Sequence, residues 1–308
     1  SLFVPKGSLV VSSKGNSEDS KKEYHTTTVP LDTELPLIVM IDSGSASSAE
    51  IVAGALQDLD RATIMGTRSY GKGLVQSIRP LAYNGQLKVT TAKYYTPSGR
   101  CVQAIDYSNR NEDGSVGHIP DSLTREFKTA SGRIVRDGGG ITPDLKIEPD
   151  TMSNLHYYLL LGNHIFDYAT QYVVEHDSIG VIDDFVLTDT DYDNFKAFIA
   201  ARDFKYDKMS SKQLDNLREM MTFEGYMDDT TRQLVDSLEQ LLEHNLNKDL
   251  DTFSKEILGS LTQEIAKRYY YQKGEIVVGL RNDVVSMRAI EILLSPTRYR
   301  EILAPSKK

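Results

Sequence analysis

The chain has 308 residues, enough for two domains with ample buried core. With 40% hydrophobic and 26% charged residues it reads as an ordinary globular protein, and a formal charge of -9 with a pI near 5.2 argues against a surface built for nucleic acid. A single cysteine, Cys101, excludes an intrachain disulfide, and no apolar run approaches the ~20 residues that cross a bilayer.

In chain order, Ser8 to Val11 is a short apolar strand candidate, Ser12 to Glu23 a polar loop, and Tyr24 to Val29 a return to β-like alternation. Leu37 to Ile41 is a continuous apolar run, the signature of a strand buried on both faces of a parallel sheet. A small-residue turn, Ser43 to Ala46, follows. Ser47 and Glu50 then have the S-x-x-E spacing of a capping box, and Ile51, Val52, Ala55, Leu56 and Leu59 form a helical stripe of roughly 12 residues. Ala62 to Gly66 returns as a second parallel strand. Leu74 to Tyr83 and Gln86 to Tyr95 flank Asn84-Gly85, the strongest hairpin signal in the chain, and Thr96-Pro97-Ser98-Gly99 turns the backbone. Residues 105 to 140 are polar and turn-rich, a surface excursion ending in Asp137-Gly138-Gly139-Gly140.

From Met152 helical spacing takes over. It predicts helices over Leu155 to Glu175, Asp191 to Ala201, Ser211 to Phe223, Asp229 to His244, Leu250 to Tyr271 and Asp283 to Leu294, with Lys273-Gly274 closing the long one. The expected division is an α/β core over residues 1 to 150, a helical connector over 151 to 184, and an all-helical domain over 185 to 308. A helical region of over 120 residues also suits self-association into a homo-oligomer.

The strand-helix-strand unit carries the chemistry. A right-handed crossover puts the helix N-terminus and the end of the second strand on one edge of the sheet, so Lys72, which is 25 residues beyond Ser47, arrives beside it. A serine at a helix N-terminus faces backbone N–H groups able to stabilise an oxyanion, and a lysine serves as its base when uncharged. Burial favours that state; a carboxylate neighbour opposes it. The residue four positions on, Gln76, is a neutral amide able to orient the amine, and no acid lies between Gly66 and Gln76. Ser45 and Ser48 rival Ser47 as nucleophile, and local sequence does not separate the three.

Residues 66 to 73, GTRSYGKG, nearly spell a phosphate-binding P-loop, but Gly73 stands where a hydroxyl must hold Mg²⁺ and the next segment is strand-like. The six histidines, His25, His118, His156, His164, His176 and His244, show no zinc-binding spacing. Tyr269-Tyr270-Tyr271 reads as helix-to-core packing rather than a stacking platform for a ligand.

Four segments in order, GSASSAEIVAGALQD, GTRSYGKGLVQ, TTAKYYTPSGRCVQ and GGGITPD, resemble the C-terminal processing (tail-specific) peptidases, serine proteases with a serine/lysine dyad. The resemblance covers about half the chain. It selects Ser47 as nucleophile, Lys72 as base, Gln76 as the orienting amide and the backbone N–H of Ser48 as one oxyanion donor. It implies protein or peptide substrates, no metal or organic cofactor, and a bacterial periplasmic or cell-envelope setting. Thr67 stands where relatives often carry an acid. Family members also carry an upstream PDZ module and a glycine-rich segment supplying a second oxyanion donor, so the chain, which opens at Ser1, is expected to be the C-terminal portion of a longer enzyme. The competing expectation is a non-catalytic peptide-binding or oligomerisation module.

Overall fold

The computed structural model describes residues 1–16, 20–110, 116–148, 151–202, 204–206, 209–242, 245–281 and 283–305. His244 and residues 17–19 of the expected polar loop lie outside the described residues. The chain forms two compact units, Ser1–Pro149 with Val284–Lys308, and Asp150–Asp283.

The first unit is built on a parallel sheet. β3 (Ile38–Ile41) and β4 (Thr63–Gly66) pair in parallel, Ile38 opposite Thr63 and Ile41 opposite Gly66. β11 (Leu145–Lys146) joins the other side of β4, giving the order β11-β4-β3. Every residue of β4 is buried, as the uninterrupted apolar sequence requires. Helix α1 (Ser48–Asp58) makes the crossover, and its Ala53 packs with Ile41, Ala62, Ile64, Val102 and Ile141. On a second cluster, Met65 meets Ala289 and Ile292 of α9 (Val284–Leu293) and Tyr299 of α10 (Pro296–Leu303). Tyr299 donates its hydroxyl to the Leu37 carbonyl (3.0 Å) and accepts the Leu37 N–H (2.9 Å), closing the start of β3. These last helices, expected in the helical domain, belong with the sheet. Their periodicity reveals an apolar face; it does not name the partner that covers it.

A second, antiparallel sheet has the order β2-β1-β6-β5, from β1 (Leu9–Lys14), β2 (Lys22–His25), β5 (Leu74–Pro80) and β6 (Gln86–Tyr95). Among the described residues β5 pairs only with β6 and forms the edge. The hairpin is where Asn84-Gly85 predicts it, but its turn differs. Tyr83 and Asn84 carry positive φ, Gly85 does not, and the Leu81 N–H bonds the Gly85 carbonyl at 2.8 Å, so the connection runs over five residues rather than two.

The excursion expected over 105 to 140 holds two small hairpins, β7 (Ile105–Arg110) with β8 (Val116–His118), and β9 (Glu126–Lys128) with β10 (Ile134–Arg136). Short strands among turn residues leave little periodicity to read. The TPSGR and ITPD segments meet the C-terminal end of α1 in a buried polar network. Arg100, fully buried, lies 2.9 Å from Asp58 Oδ1 and donates to Gln57 Oε1 at 2.6 Å, while Asp58 Oδ2 accepts the Ser98 N–H at 2.9 Å. Asp144 accepts the Ile64 N–H (2.8 Å) and the Arg133 guanidinium (2.6 Å), and Arg133 also reaches Asp60 at 2.7 Å.

The second unit is helical. α2 (Asn154–Leu161) and α3 (His164–Glu175) replace the single helix expected there, broken at Gly162-Asn163, with Asn163 left-handed at φ 57°. α4 (Asp189–Ala200), α5 (Met209–Phe223) and α6 (Asp229–Leu241) follow close to expectation. α7 (Leu246–Thr252) and α8 (Ser254–Leu280) divide the next predicted helix. The break within α8 falls at Tyr271, φ 54°, ψ -149°, and the helix resumes past Gly274 instead of ending there. Gly274 is a close approach: a Cβ would sit 2.5 Å from the Ala266 carbonyl oxygen. The core joins Leu155, Ile165, Tyr168, Phe195, Ile257 and Leu261. Tyr269 and Tyr270 donate to the His176 and Gly180 carbonyls, whereas Tyr271 is 80% exposed.

Candidate active site

Ser47 sits at the junction of the small-residue turn and α1 with φ 54° and ψ -113°, a conformation that favours glycine and costs another residue about 1–3 kcal/mol. Such strain persists only where the surroundings impose it. Here they do: the Ser47 N–H donates to Glu50 Oε2 at 3.0 Å, and its carbonyl accepts the Ile51 N–H at 3.0 Å. The capping-box spacing therefore forms its expected backbone contact to Glu50.

Glu50 does more than cap. Its side chain is fully buried, and it accepts the Lys72 N–H on Oε2 (2.8 Å), the Gly71 N–H on Oε1 (2.7 Å) and the Ser69 hydroxyl on Oε1 (2.5 Å). One carboxylate thus gathers the turn before α1 and the loop after β4. Because Ser47 and Lys72 share one oxygen, their amide nitrogens are separated by no more than those two bonds laid end to end. Tyr94, on β6, grips the same pair from the carbonyl side: its hydroxyl donates to the Lys72 carbonyl and lies 3.3 Å from that of Ser47. Burial, then the Glu50 charge, pushes the Tyr94 hydroxyl well above its usual range, so it remains a donor. The Ser45 carbonyl accepts the Tyr70 N–H at 3.0 Å, a further tie between the two loops.

Gly71 shows why the loop carries glycine. Its φ is 84°, and a Cβ would lie 2.3 Å from the Ala104 Cβ. Beside it the Gly73 N–H donates to Gln103 Oε1 at 2.8 Å. Inward backbone on both sides aims the Lys72 side chain outward. Lys72 is exposed, contrary to the dry environment expected for its amine. It lines a cleft of about 550 Å³ with Gly44, Ala46, Tyr70, Gln76 and Gln103. Gln76 is exposed at a β-bulge, where the β5–β6 register shifts between Val75 and Gln76. The structure therefore brings Lys72 and Gln76 to one cleft and the Ser47 backbone to Lys72.

Ser48 is exposed in the first turn of α1. The rival Ser45 is engaged elsewhere: its hydroxyl donates to Asp42 Oδ1 (3.0 Å) and accepts the Asp42 N–H (3.1 Å). Sequence reasoning missed the grouping of Glu50, Ser69, Tyr94 and Gln103. Glu50 was visible only as a cap, and the others carried no local signal. GTRSYGKG runs directly into β5, not a helix, as the failed P-loop pattern requires. Among the described residues no cluster of three or more His, Cys, Asp or Glu forms a metal-binding group, and no helix is long and apolar enough to cross a membrane.

Residues 1–108 match Peptidase family S41, and residues 155–293 match the family described as probable PDZ-protease, C-terminal helical domain. A carboxy-terminal-processing protease of Bartonella bacilliformis is 52% identical over 103 residues, covering 33% of this chain and 24% of that protein. A carboxyl-terminal-processing protease of Synechocystis sp. is 40% identical over 104 residues, covering 34% and 24%. The chloroplastic C-terminal processing peptidase of Tetradesmus obliquus is 36% identical over 107 residues, covering 35% and 23%. The matched segment thus spans about a quarter of each relative's length. With four motifs in order, a strand-helix-strand core beneath them and two family matches along its length, the chain is similar to the S41 carboxyl-terminal-processing peptidases.

Proposed function

We propose that this chain is the catalytic portion of a serine endopeptidase of the C-terminal processing type, acting on polypeptides recognised near their C-termini. Ser47 is the nucleophile, Lys72 the base, Gln76 the group that orients the amine, and the Ser48 N–H one oxyanion donor. The observation that carries this reading is the strained Ser47 whose N–H shares the Glu50 carboxylate oxygen with that of Lys72.

In the reaction the uncharged Lys72 amine takes the Ser47 hydroxyl proton as the oxygen attacks the scissile carbonyl. The resulting lysine ammonium protonates the leaving amine, and water then hydrolyses the acyl ester. A polypeptide laid in the cleft of Lys72 and Gln76 excludes water from the amine, supplying the dryness that the open cleft lacks. The substrates are proteins, and the likeness to bacterial processing proteases supports a setting in a bacterial cell envelope.

The exposure of Lys72 favours one competing reading, a non-catalytic peptide-binding or assembly module. A fluorophosphonate probe read by mass spectrometry decides between them. Labelling at Ser47 that Lys72→Ala abolishes supports the peptidase; labelling at another serine, or none in the chain joined to its upstream segments, favours the module.

A further inference from the structure

The cleft that holds Lys72 and Gln76 continues past them. Leu74, Gln76, Gln103, Ile105 and Tyr107 line both it and a second lobe of about 520 Å³. The second lobe adds Ile119, Leu123 and Cys101. Its aliphatic side chains come from separate segments: Leu74 from β5, Ile105 from β7, Ile119 and Leu123 from the stretch after β8. Leu123 is 71% exposed and the other three are half-buried, so apolar surface faces water here instead of closing into core. Charges around the lobe have both signs, Lys93 and Arg125 with Asp106 and Asp137, so no net field selects a charged guest. A concave, mainly apolar lobe that is continuous with the cleft of Lys72 and Gln76 has the character of a binding pocket for an apolar group.

We propose that this lobe receives a large apolar side chain, aromatic or branched aliphatic, from the polypeptide at a residue flanking the scissile bond. Leu74, Ile105, Ile119 and Leu123 are its specificity-determining contacts. The assignment of a substrate rests on the peptidase reading above. Gln103 links pocket to chemistry: its Oε1 accepts the Gly73 N–H at 2.8 Å, and its Nε2 donates to the Ile105 carbonyl at 3.0 Å. The wall carrying Ile105 is thereby tied to the loop carrying Lys72. A side chain seated in the lobe consequently sets the register of the peptide backbone against Lys72.

The chain's one cysteine lines the lobe and provides a test that needs no catalysis. Burial pushes the Cys101 thiol up, so disulfide exchange is read at equilibrium and not as a rate. At equal concentrations, mass spectrometry of the full chain should find a phenethyl disulfide captured on Cys101 at least tenfold over a hydroxyethyl one. Leu123→Asp, at an exposed position, should erase that preference with an unchanged circular dichroism spectrum. Equal capture of the two reagents by the unsubstituted chain overturns the pocket whatever the protein does to peptides.

The second arm links the lobe to substrate. Over a pool of extended peptides, bonds flanked by Phe or Leu should be cleaved with kcat/KM at least tenfold above the same peptides carrying Gly, and Leu123→Asp should collapse that ratio. Selective capture with cleavage indifferent to the flanking side chain overturns the substrate assignment. Selective capture with neither cleavage nor probe labelling of Ser47 is instead the failure of the peptidase reading, and the substrate assignment falls with it.

Discussion

The backbone amides of Ser47 and Lys72 donate to the same oxygen, Glu50 Oε2, at 3.0 and 2.8 Å. Positions 25 residues apart in sequence are therefore registered by one buried carboxylate that also holds Gly71 and Ser69.

Replacing Glu50 by Gln turns one acceptor oxygen into a donor facing N–H groups. The expected result is a loss of about 1–3 kcal/mol of stability for each buried donor left unsatisfied. Displacement of either loop by about 1 Å should lower the rate of Ser47 labelling on the order of 100-fold. Urea unfolding and probe kinetics on the same preparation measure the two effects; unchanged labelling would remove Glu50 from the site.

Tyr94→Phe removes only the hydroxyl shared between the Lys72 and Ser47 carbonyls. The loss in stability should be about 1 kcal/mol, the net worth of one hydrogen bond. Labelling of Ser47 should slow severalfold in the folded variant. Wild-type labelling at wild-type stability would show that the Tyr94 hydroxyl does not register the loops.

Asp58→Ala leaves the fully buried Arg100 guanidinium without its counter-charge. Burial already pulls the Arg100 guanidinium below its usual range, opposed by Asp58. Truncating one partner of such a pair costs about 3–5 kcal/mol, whereas replacing both by apolar residues of similar volume is often near neutral. The single and double variants compared by denaturant midpoint test this; equal losses in both would point to packing instead of charge.

The parallel unit was legible because Leu37 to Ile41 and Ala62 to Gly66 are apolar without a break and Ser47 to Leu59 repeats at helical spacing. Local signals reached that far and no further. The motif TPSGR gives no hint that Arg100 is buried against Asp58, because burial of an arginine depends on partners over 30 positions away. The helices carrying Ile292 and Tyr299 were visible as helices, but their sheet partner was not. At the candidate site, Ser47, Lys72 and Gln76 came from motif resemblance, while Glu50 and Tyr94 emerge only when the two loops are seen together. The expected burial of Lys72 failed because the loop's inward side is already occupied by its own backbone, packed against Ala104 and Gln103.

The helical unit should respond to mild acid through His164. Its ring packs edge-on against Phe204, with centroids 4.9 Å apart, and Nδ1 is buried without a hydrogen-bond partner among the described residues. Burial, then the charge of Arg202, lowers its proton affinity, partly opposed by Asp167. The unfolded chain thus binds the proton more tightly than the folded one, so stability is full above about pH 6.5 and declines as pH falls below it. His164→Phe should flatten the urea midpoint between pH 5 and 7.5; an unaltered slope would assign the dependence to other groups.

The border of β5 has a consequence for the molecule in solution. Ile78 on this strand is 61% exposed, and among the described residues no neighbour occupies the outer main-chain groups. An open seam of amides and carbonyls beside an oily side chain is a template on which another extended chain can zip. Produced as this polypeptide alone, the protein should stick to itself more strongly as concentration rises, and a lysine in place of Ile78 is the simplest way to keep it dispersed.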